Sequence, residues 1–309
     1  MEDLPQLPTL PITSQETLRK CRELKVGPKD IFIASFPKSG TTWMQNIVYQ
    51  LVSANREARG MSDLPLDHIS QYTPFFDIDA HWQENSNDLI PEIQSAHDAL
   101  GYRIFNTHLR WNMLPKDENG GTKYIYLIRD GRDVLTSFYH HLTNQHPDDG
   151  GFEGDFETFF QKFLDGTIAY GKWSHHLASW MPYCVSEQNR ANTISQVLLV
   201  RYEDLKSDLQ QQVCKIARFL QLDFVVNDPS LMHRVLDRTG FEWMKHHHHL
   251  FHPRSVRWKP GFSFIRKGSV GDHDTLFAEE HKNKFLESVR TDFGGPNEVP
   301  TWLHQYGFY

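Results

Sequence analysis

The sequence predicts an α/β fold, three-layer αβα, around a central, mainly parallel sheet. Two observations carry this. Four short apolar runs, 31–36, 103–108, 124–128 and 197–201, have the length and residue types of buried strands. Apolar residues at helical spacing follow three of them, and strand–helix alternation of this kind makes a parallel sheet with helices on both faces. Ligands on such sheets sit beyond the carboxyl ends of the strands. The candidate binding residues of this chain fall at those ends.

The first run is Ile31-Phe32-Ile33-Ala34-Ser35-Phe36, and Trp43, Met44, Ile47, Val48, Leu51 and Val52 follow at helical spacing. The segment is therefore strand, tight loop, helix. Gly40 lets the backbone approach a ligand, and the free N–H groups at the helix start, aided by the helix dipole, can hold a phosphate. Lys38 adds a mobile positive charge, Thr41 and Thr42 add hydroxyl donors, and Trp43 offers a flat face for a base. The common nucleotide-triphosphate loop has its lysine after the second glycine; here the lysine comes two residues before the only glycine.

The second run, Arg103–His108, leads through Asn106, Thr107 and His108 to Arg110; if the segment is extended, residues 106, 108 and 110 share one face. The third, Tyr124–Ile128, ends at Arg129, and Val134, Leu135, Phe138 and Leu142 mark a helix that begins near Gly131. Arg129 is placed for a bidentate phosphate contact or, taken alone, for a surface ion pair with Asp130 or Asp133. Ser137 lies two turns on. After the fourth run, Val197–Arg201, a helix is marked by Leu205, Leu209, Val213, Ile216 and Leu220. Residues 55–98 and 144–155 read as loops over a pocket, and 1–30 as an arm packed on the domain. The basic, aromatic stretch 245–272 reads as a long functional loop. No linker cuts the chain, so residues 1–309 read as a single domain.

Charge and cysteine usage narrow the classes. A net charge of −7 over 309 residues argues against a general nucleic-acid or membrane surface, so an anionic ligand needs a local basic pocket. Three widely spaced cysteines, Cys21, Cys184 and Cys214, fit reduced thiols and not a disulfide framework or zinc site. The acidic Met1-Glu2-Asp3 start has no apolar signal core, and no N-x-[ST] site occurs. No apolar run approaches the roughly 20 residues of a membrane span. The expectation is a cytoplasmic protein without nucleic-acid or membrane partners. The run His246–His249 has no fixed ligand geometry, and no metal is expected.

The octapeptide Phe36-Pro37-Lys38-Ser39-Gly40-Thr41-Thr42-Trp43 resembles the phosphate loop of the cytosolic sulfotransferases. That family holds there the 5′-phosphosulfate of 3′-phosphoadenosine 5′-phosphosulfate (PAPS). Matches continue in family order from about Asp30 to Asp272. The resemblance implies that Lys38, Ser39, Gly40, Thr41, Thr42 and Trp43 bind the cofactor. It implies that Arg129 and Ser137 hold the 3′-phosphate, joined by Arg266, Lys267 and Gly268 of an Arg-Lys-Gly-x-x-Gly segment in a loop, 245–272, that covers the cofactor. Tyr202, Thr239 and Phe241 match nucleoside contacts. His108 matches the general base, Lys38 the residue that meets charge on the leaving oxygen, and Ser137 stands with them in the catalytic set. Phe75 and Phe76, in a region with Tyr72 and Trp82, match the acceptor site, with Asn106, Arg110 and His141 beside it.

The implied reaction moves a sulfuryl group from PAPS to a hydroxyl or amine of a small organic acceptor and leaves adenosine 3′,5′-bisphosphate (PAP). Three departures stand out. Asn106 replaces the family's lysine, Arg110 its proline, and His273-Asp274 its Trp-Lys pair. Arg110 is expected to supply the missing cation. The family's dimerisation segment is not preserved at Asp274, Ala278-Glu279 and Asn283, and monomer and dimer both stay open. Two other readings stay open as well: an ATP-dependent P-loop kinase, and a PAPS-binding protein with weak or no catalysis.

Overall fold

Strand β1 is the axis of the molecule. The computed structural model describes residues 7–62, 64–184, 196–295 and 297–308. In chain order its elements are α1 (Gln15–Glu23), β1 (Asp30–Ser35), α2 (Thr41–Ala58), α3 (Pro91–Leu100), β2 (Arg103–Thr107), β3 (Lys123–Ile128) and α4 (Gly131–Asn144). Then come α5 (Phe156–Asp165), α6 (Trp173–Trp180), β4 (Val197–Arg201), α7 (Tyr202–Ser207), α8 (Leu209–Phe219) and α9 (Asp223–Asn227). The chain continues with α10 (Pro229–Thr239), α11 (Phe241–His246), α12 (Glu279–Asp292) and α13 (Thr301–Gln305).

The four strands form one all-parallel sheet in the order β2-β1-β3-β4. The chain leaves β1 toward β2 on one side and returns to β3 on the other. The crevice at the carboxyl ends of β1 and β3 is therefore a topological switch point, where such sheets take ligands.

Period-two alternation along each strand divides the core. Phe32, Phe105, Tyr124 and Tyr126 face one layer, while Ile31, Ile33, Ile104, Ile125 and Leu127 face the other. The aromatic face is in register across three strands. Phe32 is opposite both Phe105 and Tyr124, and its ring stacks on theirs at 5.0 and 5.3 Å. The aliphatic face is packed with residues of α2, α8 and α10.

The apolar spacing from Leu205 to Leu220 spans two helices, not one. Asp208 breaks the period: it ends α7, and its carboxylate caps α8 by accepting from Gln211 N. Within 55–98, α2 runs on to Ala58 and α3 begins at Pro91, so the loop over the pocket is shorter than the polar composition suggests.

Candidate active site

At the carboxyl ends of the strands lies a cavity of about 550 Å³. The phosphate loop enters it from β1. Lys38 (φ 69°) and Gly40 (φ 104°) are both left-handed. That conformation strains a lysine, and such strain persists where the surroundings impose it. Gly40 is needed twice over, for its φ and because a Cβ there would lie 2.7 Å from the Tyr202 ring. The loop delivers Lys38, Gly40, Thr41, Thr42 and Trp43 to the wall, together with the unsatisfied N–H groups that open α2. Ser39 is buried outside the wall, and its Oγ has no hydrogen-bond partner among the described residues. Trp43 is fixed by its Nε1–H, which donates to Thr239 O at 2.8 Å.

Arg129 ends β3 at the same crevice. Its guanidinium donates to Lys38 O at 3.2 Å and Ser269 O at 3.0 Å and lies over the Tyr202 ring at 4.4 Å. Asp133, one turn into α4, supports it at 3.3 Å. Asp133 also accepts from Gly271 N, His273 N and His273 Nδ1, so one buried carboxylate joins the arginine to the Arg266–Asp272 loop. Arg266 and Lys267 both pair with Asp272. Gly268 (φ 59°) packs so tightly that a Cβ would lie 2.5 Å from the Phe241 ring. Ser137, Tyr202, Phe241, Arg266, Lys267 and Gly268 all line the cavity.

His108 follows β2 at the opposite side of the phosphate loop. Its Nδ1 lies 2.8 Å from Ser35 O. A carbonyl only accepts, so Nδ1 carries the proton and Nε2 is left basic. The ring is held between Phe75 at 5.3 Å and Tyr170 at 5.2 Å. Its backbone is held as well. Asp77 accepts from His108 N at 2.8 Å and from the Thr107 hydroxyl, and His176 Nε2 donates to His108 O at 3.1 Å. Tyr126 in turn hydrogen-bonds His176 Nδ1 at 2.9 Å.

Burial first, then the Lys38 charge, pushes the His108 pKa down to about 4, against a raising contribution from Ser35 O. Burial, then Arg129 and Arg266, lowers Lys38 to about 7. These basic groups face a cavity poor in negative charge, and an anion there would reverse both shifts.

Four expected residues stand apart from the wall. Phe76 is fully buried against Phe32 and Phe105. The segment around it pairs with Asn106 as a short extension of the sheet, so Phe75 lines the cavity and its neighbour points into the core. Thr239 is also fully buried: its hydroxyl bonds Val235 O, and it serves the site through the carbonyl that holds Trp43. Ser39 is buried beneath the loop's lining residues. Arg110, expected to supply the missing cation, is not among the wall residues. Strand β2 stops at Thr107, so the shared face of 106, 108 and 110 ends there, and Arg110 lies against Gly171 outside the wall. Asn106 and His141 do line the cavity, Asn106 with its Nδ2 donating to Thr73 O at 2.8 Å.

Further wall residues include Leu10 and Ile12 near the N-terminus, His68, Ile78 and His81, and Phe251, Trp258 and Phe264 in the 245–272 loop. Asp77, Tyr170 and His176 escaped the sequence reading because no motif or period marks them. Asp133 was visible as an acid in the first turn after Arg129. In the histidine run, His247 stacks on Trp243 at 4.0 Å and bonds its carbonyl. Among the described residues no cluster of three or more His, Cys, Asp or Glu side chains could hold a metal ion, and no helix is long and apolar enough to cross a membrane.

Known proteins resemble this chain in sequence and in fold. Residues 28–297 match the model of the sulfotransferase domain. Sulfotransferase 1B1 of Canis lupus familiaris is 32% identical over 87% of this chain and 84% of its own. Sulfotransferase 1E1 of Mus musculus is 30% identical over 85% of this chain and 83% of its own. Among solved structures, mouse sulfotransferase SULT7A1 complexed with PAP has the same fold, with a TM-score of 0.67 at 24% identity, covering 96% of this chain and 94% of that one. A retinol dehydratase in complex with retinol and PAP superposes with a TM-score of 0.64 at 21% identity, covering 91% of this chain and 87% of that one. With the domain match spanning most of its length, the chain belongs to the sulfotransferase family, the enzymes that move a sulfuryl group from PAPS to an acceptor.

Proposed function

We propose that this sulfotransferase sulfates the hydroxyl of a neutral, apolar small molecule, with His108 as general base and Lys38 at the leaving oxygen. One observation carries the reading. The Nδ1–H bond to Ser35 O leaves Nε2 as the basic nitrogen of a ring in the same wall as the phosphate loop. His108 Nε2 takes the acceptor's proton as its oxygen attacks. Lys38 neutralises charge on the departing phosphate side, where positioning and electrostatics do most of the work in this type of transfer.

PAPS supplies, when bound, a sulfuryl group on a phosphate leaving group. The residues present fit such an anion: the N–H groups opening α2, two left-handed loop positions, a guanidinium with an unpartnered buried Nε in Arg129, and the Arg266-Lys267-Gly268 turn. Arg129, Ser137, Arg266 and Lys267 would hold the 3′-phosphate. Trp43, Tyr202 and Phe241 would hold the adenosine, and Lys38, Gly40, Thr41 and Thr42 the 5′ end. The acidic side chains in the wall are already engaged, Asp149 by Arg257 and Asp272 by Arg266 and Lys267, which favours a neutral hydroxyl over an amine. Phe75, Asn106 and His141 border the acceptor. The unpaired Cys21, Cys184 and Cys214 suit a reducing cytoplasm, and the single four-stranded sheet supports reading the chain as one domain.

Calorimetric titration with PAP tests the clamp. Arg129→Ala is expected to weaken binding about 30- to 300-fold, as when one partner of a buried charge pair is removed. Equal affinity in wild type and variant would overturn the assignment. A pH–rate series supplies a second check. Lys38 at about 7 means that kcat/KM for PAPS should fall above pH 7, because the free enzyme then lacks the proton that makes lysine a cation.

A further inference from the structure

Lys38 has no acidic partner among the described residues. Its Nζ lies 3.0 Å from His141 Nδ1, and 4.5 Å from the centre of the Phe264 ring. The charged and titratable groups around it come from every side of the crevice. They are Arg129 after β3, Arg266 in the covering loop, His108 after β2, and His252 beyond His141. The acids beside those two arginines are already held: Asp133 by Arg129 and His273, Asp272 by Arg266 and Lys267.

An ammonium group only donates, so His141 Nδ1 accepts and its own proton sits on Nε2. The imidazole is fixed on α4 by edge contacts with Trp258 at 4.8 Å and Phe264 at 5.9 Å. On the β2 side of the cavity Asn106 stands with its amide committed to Thr73 O, and Arg110 is not in the wall. The charge that Lys38 brings to the reacting end therefore depends on where its one flexible chain is held.

We propose that His141 is a positioning residue for Lys38, its Nδ1 lone pair keeping the ammonium charged and aimed between the phosphate loop and the acceptor. This rests on the reading of Lys38 as the group that meets the leaving oxygen. The hydrogen bond opposes the burial and the two guanidinium charges that drive Lys38 toward neutrality. Burial keeps His141 itself neutral, pushing its pKa well below the usual imidazole range, so the lone pair is available.

The test is proton uptake on binding PAP, whose 5′-phosphate Lys38 would meet. It is measured by calorimetry from pH 5.5 to 9 in buffers of different ionisation enthalpy. In wild type, uptake should rise along a limb centred near pH 7, where the free lysine loses its proton. Titration of the ligand's own phosphates is common to all variants and subtracts out. His141→Leu removes the lone pair, and the limb should move down by about one pH unit. His141→Asn places an amide oxygen near the Nδ1 position and should restore the wild-type limb. In His141→Leu, kcat should also fall about 10- to 100-fold and recover in the asparagine variant. A limb that stays in place in His141→Leu while that variant still binds PAP overturns the proposal, whatever happens to activity. If the leucine variant fails to bind, His141→Asn decides: a displaced limb there overturns it, and a wild-type limb supports it. A limb that survives in Lys38→Met overturns instead the underlying reading of Lys38.

Discussion

Replacing His108 with alanine is expected to lower kcat by about 10²- to 10⁴-fold, the usual contribution of a positioned general base. PAP affinity should change little, because the phosphate contacts belong to other residues. The reason lies in how the imidazole is held. Nδ1–H is committed to Ser35 O, the ring is confined between Phe75 and Tyr170, and the backbone on either side is tied to Asp77 and His176. One nitrogen is therefore left for chemistry, in one tautomer.

Single-turnover measurement with PAPS and a phenolic or alcoholic acceptor reads the chemical step directly. His108→Gln is the more demanding variant, since its amide nitrogen reaches toward the Nε2 position but cannot accept a proton; it too should be slow. Loss of PAP binding in both variants would move His108 from catalysis to folding of the phosphate loop. Near-normal turnover in either would remove it from the mechanism.

The site was legible where chemistry is written into contiguous residues. The Phe36–Trp43 loop, Arg129 with Ser137, and the Arg266–Gly268 turn are local motifs, and each reaches the cavity apart from the buried Phe36 and Ser39. The sheet was legible for a similar reason, since short apolar runs at the right spacing leave few topologies. What escaped depends on the end of an element or on contacts across the fold. Arg110 was assigned by extending an alternation that stops three residues earlier, at Thr107. Phe75 and Phe76 look alike in sequence, and only the pairing of this segment with Asn106 decides which of them meets the cavity. Thr239 contributes its carbonyl, a group every residue carries. Asp77, Tyr170 and His176 act on His108 from distant parts of the chain, and a single sequence holds no local mark of that.

Phe32→Ala is expected to cost about 3–5 kcal/mol, the range for emptying a phenylalanine site in a core that cannot collapse. Phe32 is fully buried in the central strand. Its register places it opposite Phe105 and Tyr124 at once, so its removal leaves two stacked rings without a partner on one side. Phe76 adds an edge contact at 5.1 Å, which makes the loss three-sided. The surrounding rings are anchored elsewhere: Tyr124 by its hydroxyl on Pro115 O, and Phe76 through the carbonyl that accepts from Trp82. They cannot easily close the gap.

The measurement is denaturant unfolding, with the midpoint falling at unchanged slope. Phe32→Leu keeps most of the volume and should lose far less, about 1.5 kcal/mol or below. A cost this large is a substantial share of the 5–15 kcal/mol that stabilises a typical domain. Yet it should leave the PAP affinity of the folded fraction nearly intact, because Phe32 lies three residues before Ser35, about 10 Å along the strand from the phosphate loop. A variant as stable as wild type would mean that the aromatic ladder repacks. A variant that folds normally but binds PAP poorly would mean that the ladder sets the position of the phosphate loop, which couples the core of this sheet to its site.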